Sequence, residues 1–175
     1  QDYLLQEDYM KDDGEIYQIF TPYYNKAKMK EVRLPISNDK AKADIKLLKY
    51  NTISWKDVEE FYTPNDKVYV RGGRKEGLKI IKNATDFKDY NENRNILEYG
   101  TTMLSAYLKY GVLSIREVYY TFKNKLSDSN DLIKQLYWRD FYLINIYHRP
   151  DIYNSVTRPR YNKLDWSHDE DLFHK

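Results

Sequence analysis

Apolar residues recur at helical spacing through most of the second half of the chain, and much less regularly before it. Over 131–147 they are nearly continuous, with Leu132, Ile133, Leu136, Tyr137, Trp138, Phe141, Tyr142, Leu143, Ile144, Ile146 and Tyr147 on every side of a 3.6-residue period. A helix apolar all round belongs at the centre of an all-α domain. Ser127 to Asn130 forms the loop that caps it, and His148-Arg149-Pro150 ends it. Upstream, Ser114-Ile115-Arg116-Glu117 is a capping box. It opens a helix whose Ile115, Val118, Tyr119 and Phe122 stand at i, i+3, i+4 and i+7. Arg116, Lys123 and Lys125 fall on its other faces and read as solvated. Leu104, Tyr107 and Leu108 mark a shorter helix. Arg71-Gly72-Gly73-Arg74 leads into another over about 74–87, with Leu78, Ile81 and Phe87 inward. Ser54 with Asp57 caps a short helix that stops near Thr63-Pro64.

Residues 1–52 lack this regularity. Leu4-Leu5 and Ile16 to Phe20 read as short extended segments around the turn Asp12-Asp13-Gly14. Thr21 is placed to cap a helix with Pro22 at its first position, running to about Val32 and stopping before Pro35. From Asn38 to Asn51 the Lys/Asp/Asn-rich composition is that of a solvated connector. After residue 150 the chain is mostly polar, with Trp166 an isolated anchor. The expectation is a mainly α protein, with 1–64 an irregular linker carrying short helices and 65–175 helical.

Composition narrows the chemistry. The net charge of +2, from 29 basic and 27 acidic residues, leaves only a local basic face to meet nucleic acid. The absence of cysteine rules out disulfides, thiolate metal sites and a cysteine nucleophile. With mean hydropathy −0.87 and no long apolar run, no membrane segment is expected. The start, Gln1-Asp2-Tyr3, lacks a signal-peptide pattern, and the expected location is intracellular. It also lacks Met, as a piece of a longer protein would. Asp12-Asp13-Gly14 fails as a calcium loop, because the positions counted back from Gly14 are Asp13, Lys11 and Tyr9. Arg71-Gly72-Gly73-Arg74 lacks the Gly-Lys-Ser/Thr of a phosphate loop. His168 and His174 are poorly spaced for a metal, so none is expected.

Two stretches carry candidate chemistry. In Gly100-Thr101-Thr102-Met103-Leu104-Ser105 a glycine and three hydroxyl side chains precede or open a helix. That is ordinary capping chemistry, or a site for an anion such as pyrophosphate. Within the apolar helix, Gln135, Trp138, Arg139 and Tyr142 at i, i+3, i+4 and i+7 give one face an amide, an indole, a cation and a phenol. It is either a helix edge reaching solvent with Trp138 in the core, or a pocket wall with Trp138 as stacking surface and Gln135 and Arg139 as donors.

Gly100 to Gly111, Leu113-Ser114-Ile115-Arg116-Glu117-Val118 and Gln135-Leu136-Tyr137-Trp138-Arg139-Asp140-Phe141-Tyr142 together resemble, in order and spacing, the photolyase/cryptochrome flavoproteins. Tyr17 to Tyr23 is similar to that family's connector between its light-antenna domain and its helical FAD domain. The resemblance implies that Tyr90, Thr101, Thr102, Met103, Leu104 and Ser105 touch FAD, with hydroxyls and amides on its pyrophosphate. It implies that Gln135, Trp138, Arg139 and Tyr142 line the lesion pocket and its DNA-facing rim, with Trp138 against a flipped-out pyrimidine pair. The implied reaction is light-driven electron transfer from reduced flavin to a cyclobutane dimer or (6-4) photoproduct in UV-damaged DNA. Met103 and Gln135 stand where many dimer-repairing members have Arg and Glu, which looks more like (6-4) photolyases and animal-type cryptochromes. By the same resemblance 65–175 is the first half of the FAD domain. No catalytic residue then falls in this stretch, only a half-site for FAD. A second polypeptide or a downstream segment would complete it, in the cytoplasm or nucleus. The alternatives are a cryptochrome-type photoreceptor, which senses light without repairing DNA, and a truncated relic without catalysis.

Overall fold

In the computed structural model, residues 3–5, 10–36, 53–63, 65–154, 156, 158–165 and 167–174 are described. The connector 38–51 and Trp166 lie outside them. All regular structure among the described residues is helical, as expected.

The fold is built on α7, Asp131–His148, whose N-cap is Asn130. The Asn130 side-chain oxygen accepts from the Leu132 amide at 3.0 Å, while its Nδ2 donates to the Phe87 and Lys88 carbonyls at 3.2 and 3.1 Å. One side chain thus caps the helix and fastens it to the helical turn Ala84–Phe87. Leu132, Ile133, Leu136, Tyr137, Asp140, Phe141 and Ile144 are buried, so the apolar girth predicted for α7 resolves into one wide inner face. Tyr142 and Tyr147, at 57% and 73% exposed, give it a wet side.

Helix α6, Ile115–Lys125, packs on α7 and begins where Ser114 predicts, its Oγ accepting from the Arg116 amide at 3.3 Å. Glu117 receives the Arg74 guanidinium with both carboxylate oxygens, at 2.9 and 3.0 Å. Lys123 and Lys125 are exposed, but Arg116 is not solvated as expected. It is 7% exposed, and its Nε donates to the Tyr3 carbonyl at 3.3 Å. Helix α3, Arg74–Lys82, is shorter than the predicted 74–87 and turns Leu78 outward. Its inner face is Gly77 and Ile81, one turn apart. A Cβ at Gly77 would lie 2.9 Å from both Tyr107 Cδ1 and Leu113 Cδ1, so a bare backbone is what lets α3 approach this closely.

The largest departure lies in the first 36 residues. Leu4, Leu5, Ile16, Phe20, Tyr23, Ala27 and Val32 are buried in the same core as Leu104, Tyr107, Leu108 and the inner faces of α6 and α7. Helix α1, Phe20–Ala27, starts one residue before the expected cap, with Ile19 at the cap position and Thr21 inside. It ends well short of Val32. Residues 31–36 then carry no regular secondary structure, Val32 lies in the core at 3% exposed, and the Tyr120 hydroxyl donates to the Val32 carbonyl. At the other end of this region, Asp140 is fully buried and accepts the Leu4 and Leu5 amides at 3.1 and 3.0 Å, one on each oxygen. Helix α2, Trp55–Glu59, carries the predicted cap, with the Asp57 carboxylate accepting from the Ser54 amide at 2.6 Å.

Candidate cofactor cavity and aromatic stack

Helix α5, Leu104–Lys109, starts after the hydroxyl-rich loop, and Leu104, Tyr107 and Leu108 are buried as their spacing predicts. The backbone bend falls on Met103, not on Gly100. Met103 has φ 52° and ψ 21° and is the non-glycine residue with positive φ among those described. A left-handed methionine is costly locally and persists only where its surroundings demand it. The Thr102 hydroxyl oxygen accepts from the Leu104 amide at 3.4 Å, which leaves its proton available to donate outward. Gly111, at φ 66°, closes the helix. At six residues α5 aligns few peptide dipoles, so any attraction this corner has for an anion comes from side chains rather than from the helix terminus.

The loop and α5 form one wall of a cavity of about 440 Å³. Tyr90, at the start of α4 (Tyr90–Asn93), stands on one side, and Gln135 and Arg139 of α7 on another. Leu104, Leu108, Phe122, Leu132 and Leu136 make an apolar floor. Thr101, Thr102, Ser105, Lys109 and Arg139 put three hydroxyls and two cations around it, with no acidic side chain among the described lining residues. Arg139 is largely buried, with its Nη1 3.8 Å from Asp140 Oδ1. The six residues read as cofactor contacts therefore meet in one place, together with two of the four read as lesion contacts.

The other two sit elsewhere. Phe20 of α1 stacks on Trp138 with ring centroids 3.5 Å apart at 7°, and Tyr142 stacks on Trp138 at 5.4 Å and 21°. Trp138 is thus the shared member of two stacks, combining both readings of the sequence. It packs against the core through Phe20 and is itself partly buried. Trp138 and Tyr142 line a separate cavity of about 340 Å³ with Asn145, Arg149 and Arg158. Gln135 and Trp138 border a third, of about 440 Å³, where Asp131 pairs with Arg94 at 3.0 Å. Lys109, one helical turn beyond Ser105, could have been found by the i,i+4 rule. Phe20 carries no such signal, because its place is set by α1 packing across α7.

Burial also perturbs two phenols behind this face. Tyr137 has its hydroxyl pushed well above the usual range by burial and by a hydrogen bond with Tyr119. Tyr23 is pushed up by burial and by the Asp140 carboxylate, and its hydroxyl has no hydrogen-bond partner.

The fold is that of a photolyase helical domain. A bacterial class III photolyase from Agrobacterium tumefaciens superimposes with a TM-score of 0.66 at 19% identity, over 98% of this chain and 39% of that one. A deoxyribodipyrimidine photo-lyase of Alkalihalophilus pseudofirmus is 31% identical over 182 aligned positions, 97% of this chain and 37% of that protein. A (6-4)DNA photolyase of Oryza sativa is 28% identical over 72% of this chain and 24% of its own length. No family model matches the chain. The chain belongs to the photolyase/cryptochrome family. It spans well under half the length of these relatives.

Proposed function

We propose that this chain supplies one side of an FAD site in a DNA photolyase that repairs UV-induced pyrimidine lesions with light. The observation that carries the reading is the shared cavity: Tyr90, Thr101, Thr102, Met103, Leu104 and Ser105 line it with Gln135 and Arg139. Its chemistry suits a dinucleotide. Thr101, Thr102 and Ser105 donate hydrogen bonds to the pyrophosphate, and Lys109 and Arg139 balance its charge. The leucine floor and Tyr90 cover apolar ring surface, which needs few directional contacts. The flavin supplies the light-driven electron transfer, while these residues bind it, orient it and shield one side from water. Gln135 and Arg139 reach both the cofactor and the base presented to it. A further segment, on the same or a second polypeptide, completes the site, as the greater length of the relatives suggests.

The test is retention of flavin by the purified chain after desalting, read by absorption, with FAD and riboflavin compared. FAD should be held in preference to riboflavin, because the contacts of this wall are to phosphate. The preference should fall in Arg139→Gln. Equal retention of the two, or retention of neither even with the completing segment present, would refute the reading. Repair of an irradiated oligonucleotide under blue light, with the completing segment present, separates a photolyase from a photoreceptor.

A further inference from the structure

Residues 3–5 lie across two of the helices that wall the cofactor cavity. The peptide unit between Tyr3 and Leu4 is held at both ends. Its carbonyl accepts from Arg116 Nε of α6 at 3.3 Å, and its N–H donates to Asp140 Oδ1 of α7 at 3.1 Å. The Leu5 amide donates to Asp140 Oδ2 at 3.0 Å. Both leucine side chains are buried in the core. Helix α6 supplies Phe122 to the cavity, and α7 supplies Leu132, Gln135, Leu136 and Arg139. Asp140 Oδ1, the oxygen that takes the Leu4 amide, is also the one 3.8 Å from Arg139 Nη1. That separation is too long for a hydrogen bond, so with residues 3–5 docked the Arg139–Asp140 pair is loose.

A buried carboxylate is tolerated only while donors and cations around it offset its desolvation. Undocking residues 3–5 takes two amide donors from Asp140 at once. Arg139 already faces the carboxylate, whereas Arg116 reaches it only across the peptide unit between Tyr3 and Leu4. We infer that residues 3–5 are a strap that sets the place of Arg139. Docked, the two amides serve Asp140 and Arg139 lines the cofactor cavity. Undocked, Asp140 closes on Arg139 and draws it away from the cofactor phosphate. Asp140 is thus a positioning residue that acts through Arg139, and the strap decides in which direction. The inference rests on the cofactor reading above and gives that site a control from outside, since none of residues 3–5 lines the cavity. Lys109, on α5, stands outside this exchange, so undocking weakens the hold on phosphate without abolishing it.

Two variants test this. Leu4→Gln with Leu5→Gln removes the apolar hold on the strap without adding charge, and Asp140→Ala undocks it by removing the acceptor. Rapid exchange of the amides at positions 4 and 5 verifies undocking in both, and far-UV circular dichroism verifies that the helices remain. A strap that stays docked in the double variant is released by adding Leu5→Pro in place of Leu5→Gln, which deletes one of the two donors. The variants then lack the same strap and differ in whether a carboxylate remains to draw Arg139. With the completing segment present, preference for FAD over riboflavin should fall roughly 10- to 100-fold in the double variant, toward that of Arg139→Gln. In Asp140→Ala it should stay within about 3-fold of the parent. A purely structural role for the strap would lower both alike. A readout independent of flavin is the Arg139 Nε–H signal of chain carrying isotope-labelled arginine, assigned by its loss in Arg139→Gln. It should exchange with water roughly tenfold more slowly in the double variant than in the parent. Equal loss of preference in the two variants, or Arg139 exchange unchanged on undocking, would overturn the inference. A parent that holds FAD and riboflavin equally, while Arg139 exchange slows on undocking, defeats the cofactor reading and leaves the strap's hold on Arg139 standing.

Discussion

Asp140→Ala removes the acceptor of two buried amides at once. Each amide–carboxylate bond contributes about 1.5–3 kcal/mol, so the Leu4 and Leu5 bonds together are worth about 3–6 kcal/mol. The variant has two responses open to it. Keeping residues 3–5 docked loses both bonds and also leaves two N–H groups buried without partners, at about 1–3 kcal/mol each. Releasing the segment exposes two leucines, at about 1.5–3 kcal/mol each, and returns about 1–2 kcal/mol of backbone entropy for each of three residues. Those two terms cancel, so release is the cheaper response. The variant should therefore stay folded, lose about 3–6 kcal/mol of global stability in urea titration, and exchange its Leu4 and Leu5 amides rapidly. Amides in the middle of α7 should keep the protection set by the lowered global stability. Asp140→Asn, which keeps one acceptor oxygen, should lose less. Unchanged protection at Leu4 and Leu5 in Asp140→Ala, or a global loss below about 1 kcal/mol, would refute the reasoning.

Gly77→Ala should destabilise by about 1–3 kcal/mol despite alanine's better helix propensity, because its methyl meets Tyr107 and Leu113 at 2.9 Å; a raised urea midpoint would contradict the tight α3–α5 approach. Met103→Gly should hold stability within about 1 kcal/mol, since relief of the left-handed φ offsets glycine's entropy, whereas Met103→Val should lose more; equal losses would show that the side chain, not the bend, matters. Tyr23→Phe should stabilise by about 1 kcal/mol, read by thermal unfolding, since it deletes a buried hydroxyl without a partner. Tyr23 and Tyr137 both have folded-state values raised above the unfolded value of about 10. Their protons are bound more tightly in the folded chain, so stability is intact below that pH and falls as pH rises above it. Urea midpoints across that range should drop on the alkaline side, less steeply in Tyr23→Phe; a flat profile would refute the assignment.

Local signals read well from sequence where the partner is close by. Ser114 and Asn130 cap their helices, Ser54 meets Asp57, and the inward sets of α5 and α6 follow their spacing. Thr101 to Ser105 share a wall because they are consecutive, and Gln135 and Arg139 because they are one turn apart, but that the two walls face one cavity is set by packing. What failed depends on distant packing. Nothing near Leu4 predicts a carboxylate in α7, and nothing near Arg116 predicts the Tyr3 carbonyl. Val32 extends α1 in the sequence pattern, yet it reaches the core from a non-helical stretch. Gly100 carries the flexible residue, but the bend is fixed at Met103, where the walls around the loop demand it. The sequence leaves Trp138 between a core residue and a stacking surface, because Phe20 lies more than a hundred positions earlier in the chain.

The clip between Leu4 and Asp140 also sets a timetable. The two residues are 136 positions apart, and at cellular synthesis rates the first leaves the ribosome roughly 7–27 s before the second. During that interval the Leu4 and Leu5 amides have only water to bond and their side chains have no core. Helices α5 and α6, whose contacts are nearer in sequence, form without them, since short loops close at lower entropic cost. The segment thus waits in an exposed, apolar state and seals the domain late. A chaperone that binds short hydrophobic stretches would find it during synthesis and lose it once α7 has emerged.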